Sequence, residues 1–554
     1  MGAVLGPFMA AEAAEVNTGR SVVMAPRGMV ATSHPLAAEA GVAILRQGGN
    51  AIDAAIATNA VLGVVEPMNC GIGGDFFAIV WDAKTKKLYG LNASGRSPYA
   101  ATIDEFVRRG LKEIPLRGPL SWSVPGCVDG WTELRTRFGS MSFEKILAPA
   151  IHYAETGFPV TRIIGGEWRG AEKLLQADPG AARSFLKDGR APRVGEMMFN
   201  PQIAATYRRI AAEGPDVFYR GDIARRIVAL SESNEGLFSL RDFEQHTSSW
   251  VEPVSTSYRG YHVWELPPNG QGIAVLQMLN LLEPFDVKAM GHNSAEFLHL
   301  YVEAKKLAYE DRAKFYADPD VALGLPIGEL ISKPYAREQG KRIDRERAAL
   351  KGIAGDPRMG RADTIYLTVV DKDRNAVSLI QSLYYGFGSG LAPGDLGFCL
   401  QNRGTLFSLD PDHLNRLEPH KRPFHTIIPA MVTRDGKPWL SFGVMGGDMQ
   451  PQGQVQVLCN IIDHGMNVQQ AGEAARCSHS GSSTPTGRMM TDGGEVSVEP
   501  GISDEAIAAL EQKGHRVSRG RGGFGGYQAI LIDHENGVLH GGSDPRKDGA
   551  AIGY

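Results

Sequence analysis

The chain has 554 residues, a formal net charge of −4, and 43% hydrophobic and 22% charged residues, the balance of an ordinary globular protein. So small a charge leaves no electrostatic footprint for nucleic acid or an anionic membrane surface as partner. No apolar run approaches the roughly 20 residues that span a bilayer.

Residues 1–20 read as a loose tail without the basic n-region of a secretory signal. The expected compartment is the cytoplasm, or the periplasm if this start belongs to a truncated precursor. Val22-Val23-Met24 and Met29-Val30-Ala31 read as short strands. Ser33 is a candidate N-cap for the helix Leu36–Arg46, with Pro35 in its first turn and Gly48-Gly49 at its end. The nearly all-apolar helix Ala51–Val64 must be buried. The turn Gly71–Gly74 leads into a strand, Phe76–Trp81. Helical patterns then dominate: Phe143–Glu155, Ile203–Glu213, Ile223–Glu232 and Ala295–Tyr316. Two strands, Val251–Tyr258 and Tyr261–Leu266, interrupt them. A charged, Gly/Pro-punctuated linker covers 340–363. After it come strands within 365–384, Ile427–Thr433 and Trp439–Phe442, helices Gln454–His464 and Ile507–Lys513, and a strand Tyr527–Ile532. Strands and helices mix without strict alternation and without an internal repeat, which points to a layered sheet core with helices outside.

The segment after the linker is the most informative. Ile365–Val370 and Ala376–Gln381 flank the polar turn Asp371–Asn375 and form a β-hairpin pattern. With the turn centred on Asp373, Thr364 faces Ser382, and directly opposed Cβ atoms lie about 4.5–5.5 Å apart. A threonine hydroxyl needs a base to act as nucleophile, and its own α-amine is one solution. That solution requires the chain to be cut just before Thr364.

Other motifs carry less. Gly520-x-Gly522-x-x-Gly525 matches a dinucleotide fingerprint formally, but a strand follows it where a helix is needed, so a plain glycine loop is the better reading. Gly443–Asp448, between a strand and a helix, could converge backbone N–H groups as an oxyanion hole does, yet alone it reads as a tight turn. His34 and His425 have the contexts of structural histidines. Glu66 and Asp75, near the early glycine turn, suit substrate ligands or solvated turn residues equally. Lys421-Arg422-Pro423 reads as a loop carrying charge to solvent. Five widely spaced cysteines show neither zinc spacing nor a disulfide framework. No metal and no cofactor is expected.

The motifs "GMVATSHPLAAEAGVAILRQGGNAIDAAIATNAVLGVVEPMNCGIGGD", "PPNGQGI", "TVVDKDRNAVS", "GFGSG" and "GGSDPRKDGAAIGY" resemble those of the γ-glutamyltranspeptidase family of N-terminal nucleophile hydrolases over nearly the whole chain. The resemblance implies an α+β fold, a four-layer αββα sandwich. It also implies one precursor cut between Asp363 and Thr364 into a large subunit, 1–363, and a small subunit, 364–554. The two would stay together as a heterodimer, with further pairing of such heterodimers left open. By the same resemblance Thr364 is the nucleophile, Ser382 the hydroxyl that hydrogen-bonds it, and Gly446 and Gly447 the oxyanion-hole glycines.

Where the family binds the γ-glutamyl α-carboxylate and α-amine, this chain departs from it. The carboxylate-gripping arginine is Ser94 here, with Arg96 two residues on as its candidate substitute. An asparagine is Tyr384, a glutamine is Arg403, the aspartate that pairs with the α-ammonium is Leu406, and paired serines are His425 and Thr426. A buried ammonium without its carboxylate is costly, and Arg403 adds positive charge that would attract an anion. The expected function is therefore amide hydrolysis of a small carboxylate-bearing acyl group without an α-amine. The alternatives are a true γ-glutamyltransferase or glutathione hydrolase and an unprocessed binding protein. The expected partner is a small-molecule amide.

Overall fold

The hairpin around Asp373 organises the molecule. In the computed structural model, which describes residues 19–350 and 364–554, Ile365–Val370 pairs with Ala376–Gln381 in the register Ile365 to Gln381 through Val370 to Ala376. Both strands are buried on both faces, which is why their apolar residues run on rather than alternate. They form the centre of a seven-stranded antiparallel sheet. Met29–Thr32 and then Ala550–Gly553 lie on one side, and Phe77–Asp82, Lys87–Asn92 and Ser249–Val251 on the other. The second seven-stranded antiparallel sheet runs Val23–Ala25, Val538–Ser543, Gly526–Asp533, Lys437–Met445, Ala430–Arg434, Tyr261–Glu265, Val254–Tyr258.

The two sheets face each other across an apolar layer that includes Met29, Phe77, Ile79, Tyr366, Ile380, Met431 and Ile530. Helices Pro35–Arg46, Ala51–Val65, Phe143–Thr156 and Pro201–Glu213 cover the outside of the hairpin sheet. Ile273–Leu282, Ala295–Phe315 and Met449–Ile462 cover the other. This is the expected αββα sandwich. Ala51–Val65 is buried along its whole length and starts with a capping box between Asn50 and Asp53. Among the described residues no helix is long and apolar enough to cross a membrane.

Several local expectations change. The first helix, Pro35–Arg46, is capped by His34, whose Nδ1 accepts the Leu36 N–H at 3.3 Å. Ser33 instead donates to Glu66 Oε2 at 2.6 Å. The single strand expected over Val251–Tyr258 is two strands, Ser249–Val251 in one sheet and Val254–Tyr258 in the other. The chain changes sheets at Glu252-Pro253, where proline has no N–H to give to a ladder. The helix after the glycine turn starts at Met449, five residues earlier than its apolar pattern suggests, and tolerates Pro451 because the first turn needs no donor there. Two late strands, Val538–Ser543 and Ala550–Gly553, go beyond the expected set. The linker expected over 340–363 includes the end of the helix Lys333–Gly340, and its residues 351–363, with Asp363, lie outside the described residues.

Candidate active site

Thr364 stands at the head of one hairpin strand, and Ser382 follows the end of the other. Extending the register by one step places them face to face, and Thr364 Oγ1 donates to Ser382 Oγ at 3.3 Å. Ser382 Oγ also accepts the Tyr384 N–H at 2.8 Å. The Ser382 N–H donates to Asp75 Oδ1 at 3.0 Å, and the Asp75 N–H donates to the Ser382 carbonyl at 3.2 Å. The backbones come this close because residue 74 is glycine: a Cβ there would lie 2.3 Å from the Ser382 oxygen. Tyr384 has φ +80°, a region that Asn tolerates and a bulky side chain rarely takes. Its N–H reaches Ser382 in that conformation, and its ring lies 4.6 Å from the Arg403 guanidinium, a cation–π contact that offsets part of the strain.

Asp75 is the hub beneath this pair. Arg403 Nε donates to Asp75 Oδ2 at 2.8 Å, Nη2 lies 2.7 Å from the same oxygen, and Nη1 donates to Thr426 Oγ1 at 2.7 Å. His425 Nε2 is 3.4 Å from Asp75 Oδ2. Burial, then the Arg403 charge, hold His425 well below its usual pKa, so the ring is neutral. Nδ1 carries the ring hydrogen and donates to the Pro423 carbonyl at 2.8 Å, which leaves Nε2 bare on the side of Asp75. Burial pushes the Asp75 carboxyl up, while Arg403 and the Ser382 N–H pull it back. Arg403, His425 and Thr426 are all fully buried and turned to this network rather than to open space. The expected free positive charge at Arg403 is therefore absent, because Asp75 neutralises it.

Arg96 is turned elsewhere too. It donates to Asp320 at 3.1 Å and to the Thr247 carbonyl at 3.2 Å. Arg422 shares Asp320 at 2.8 Å and reaches the Ser94 carbonyl at 3.2 Å. The loop Lys421-Arg422-Pro423, expected to carry charge to solvent, is buried, since Glu418, Asp318 and Asp320 meet its polar groups. Of the expected substrate residues, Tyr384 does reach a cavity. With Leu406 it lines a space of about 840 Å³.

Gly446 and Gly447 have φ of +110° and +57°, conformations that turn the chain from the strand Lys437–Met445 into the helix Met449–Ile462. Their carbonyls accept the Met449 and Gln450 N–H groups at 3.0 and 3.1 Å. Among the described residues no backbone acceptor takes the N–H of either glycine. Gln271 clamps the turn by donating to the Gly447 carbonyl at 2.9 Å and the Thr426 carbonyl at 2.6 Å, and Arg312 holds Gln271 Oε1 at 2.7 Å. The turn is tied to the strand Ile365–Val370 across the sheet interface. Thr368 Oγ1 donates to Ser441 Oγ at 2.6 Å, and the Tyr366 ring packs where a Cβ on Gly443 would lie at 2.4 Å.

A second buried polar group borders the hairpin. Asn69, whose carbonyl accepts the Leu383 N–H at 3.2 Å, donates to Glu66 and to Glu167 at 2.9 Å each. Burial raises the Glu66 pKa to about 7, against the pull of Lys547. Asp75 and Glu66 are thus buried network members and not solvated turn residues. Their signal in the sequence was position alone, each beside the early glycine turn. A metal has one candidate triad among the described residues, His299, Glu303 and His515. Its atoms are already occupied: the two rings share a 2.8 Å hydrogen bond, and Glu303 holds Lys306 and the Ala349 N–H.

The γ-glutamyltranspeptidase family model matches residues 37–554. The chain belongs to the γ-glutamyltranspeptidase family. Members nearby in sequence include the glutathione hydrolase-like YwrD proenzyme of Bacillus subtilis, 41% identical over 96% of this chain and 99% of that one. The oxamate amidohydrolase proenzyme of Klebsiella pneumoniae is 34% identical over 95% and 98%. A cephalosporin acylase from Bacillus halodurans superposes with a TM-score of 0.90 at 41% identity over 99% of both chains. This γ-glutamyltranspeptidase family member is accordingly an enzyme of the amide-hydrolysing and acyl-transferring class.

Proposed function

We propose that the chain is a self-processing threonine amidohydrolase acting on a small acyl group that carries a carboxylate and no α-amine. The carrying observation is the Thr364–Ser382 contact at 3.3 Å, at a strand head facing the glycine turn's sheet. In processing, Thr364 Oγ1 attacks the Asp363 carbonyl and the peptide nitrogen leaves as the Thr364 amine. Water then hydrolyses the resulting ester, giving subunits 1–363 and 364–554. In turnover the freed amine takes the Oγ1 proton as Oγ1 attacks the substrate amide. The Gly446 and Gly447 N–H groups receive the oxyanion, the leaving amine takes the proton, and water releases the acyl group. Ser382, held by Asp75 and Tyr384, orients Oγ1.

Against an α-amine stands Leu406, which packs in an apolar cluster with Tyr384 where the family resemblance expects an aspartate. The acylase likeness agrees with this reading. The name of the YwrD relative favours a second one, glutathione hydrolysis. Turnover of glutaryl-p-nitroanilide against γ-glutamyl-p-nitroanilide separates them. Preference for the glutaryl compound is expected, and efficient use of the γ-glutamyl compound alone overturns the proposal. A single full-length band on a denaturing gel, with no activity, would leave only a binding protein.

A further inference from the structure

A cavity of about 730 Å³ opens beside Gly446, and its wall carries Lys305, His479 and Ser482. Its size is that of a small-molecule site. Lys305 comes from the middle of the helix Ala295–Phe315 and is 1% exposed. Its Nζ lies 2.7 Å from Ser482 Oγ, 3.0 Å from His479 Nδ1, and 3.9 Å from the centre of the Tyr309 ring. His479 donates from Nε2 to the Gly493 carbonyl at 2.8 Å, which leaves the Nδ1 lone pair toward Lys305.

None of these partners is an anion. Among the described residues no carboxylate lies within ion-pair distance of Lys305, and Asp448, whose charge reaches it, is held by Arg312 at 2.5 Å. The other acids on the cavity wall are also engaged, Glu167 by Lys547 and Glu499 by Arg546. A buried ammonium without a counter-ion is expensive, and burial drives the Lys305 pKa well below its usual value. Perturbed bases of this kind cluster at functional sites, and an anionic ligand beside Lys305 would restore its proton. The contrast with Arg403 is direct, since that guanidinium has its carboxylate in Asp75.

We propose that Lys305, with Ser482 and His479 beside it, receives the carboxylate of the substrate's acyl group, at the wall of the cavity that Gly446 borders. This rests on the amidohydrolase reading and places the acyl chain in the Lys305 cavity, which Tyr384 and Leu406 do not line. Lys305 takes up a proton as the carboxylate enters and so supplies the charge, Ser482 supplies a hydroxyl donor once its bond from Lys305 turns to the ligand, and the Gly446 side of the cavity faces the amide to be broken.

The test compares processed wild type with Lys305→Met and Ser482→Ala on three compounds. Glutaryl-p-nitroanilide carries the carboxylate on the acyl group, butyryl-p-nitroanilide carries none, and butyryl-4-aminobenzoate carries it on the leaving group. Lys305→Met keeps the stem against Tyr309, and the expected result is a rise of about 100-fold in KM for the glutaryl compound, which corresponds to ~2.7 kcal/mol. The two butyryl compounds should change less than about threefold. Ser482→Ala should raise the glutaryl KM about fivefold with the same selectivity, and it keeps the question decidable if Lys305→Met does not fold. Equal losses on all three compounds, or a loss confined to the aminobenzoate, overturn the proposal. Calorimetry with glutarate distinguishes the two levels of the reading. Binding by wild type that is lost in Lys305→Met, without turnover of any amide, retains the subsite and defeats the amidohydrolase assignment. Turnover with no effect of either substitution does the reverse.

Discussion

Two buried basic residues in this molecule make opposite arrangements. Arg403 sits in a closed network in which Asp75, Thr426 and the Tyr384 ring satisfy it. Lys305 sits on a cavity wall with only neutral partners. A cation with its counter-ion built in is a structural part, and here it fixes Ser382 through Asp75. A base without one can take its counter-ion from a ligand. The family's binding residues were expected around the first, and the proposed recognition chemistry lies at the second.

The largest effect tests whether the closed network serves Thr364 at all. Thr364→Ala should leave the chain uncut on a denaturing gel and lower amide turnover by at least about 10³-fold; cleavage before residue 364 in that variant would remove self-processing by this hydroxyl. Asp75→Ala strands Arg403 without its carboxylate, and breaking one partner of a buried pair costs about 3–5 kcal/mol. Chemical denaturation should read that loss along with slower processing, and a smaller effect would mean that the pair is dispensable. Next comes Glu66, whose carboxyl is raised from 4.5 to about 7 in the folded state. The folded protein then binds more protons than the unfolded one between those values. Stability should therefore fall as pH rises from about 4.5 to 7, by up to about 3 kcal/mol. In Glu66→Gln the slope over that window should flatten, as equilibrium unfolding at several pH values would show. The smallest effect belongs to Arg96, which lies outside both regions and faces the half-exposed Asp320. Arg96→Ala should cost less than about 1 kcal/mol and leave KM for a carboxylate-bearing amide unchanged, and a large rise in KM would restore it as a substrate ligand.

The hairpin was legible because a polar turn and two apolar runs of equal length leave one natural register, which places Thr364 against Ser382. The long motifs made the family and the layers legible too. What escaped were partnerships over distance. Asp75 and Arg403 are 328 residues apart, and nothing local in either segment announces the other. The same holds for Arg422 and Asp320, so a basic loop looked solvated when it was neutralised. The break at Glu252-Pro253 was visible as a proline, but not that the two halves serve different sheets. Val538–Ser543 and Ala550–Gly553 were missed because their glycines and alanines carry little strand signal. They are strands through pairing alone. Lys305 lies inside the helical pattern Ala295–Tyr316, where nothing local marks it.

The sheets bear on what the proposed cut would do. In the hairpin sheet, Met29–Thr32 is gripped between Ala550–Gly553 and Ile365–Val370. In the other, Val23–Ala25 pairs with Val538–Ser543, and Tyr261–Glu265 pairs with Ala430–Arg434. Strands from before and after the 363–364 bond therefore pair with one another in both sheets, like the fingers of clasped hands. Severing that bond would release neither piece, yet it would convert a first-order folding reaction into a second-order one. The precursor could find its fold alone at any dilution. The processed enzyme, once melted, would have to find its other half, so its recovery should depend on concentration where that of the uncut chain does not.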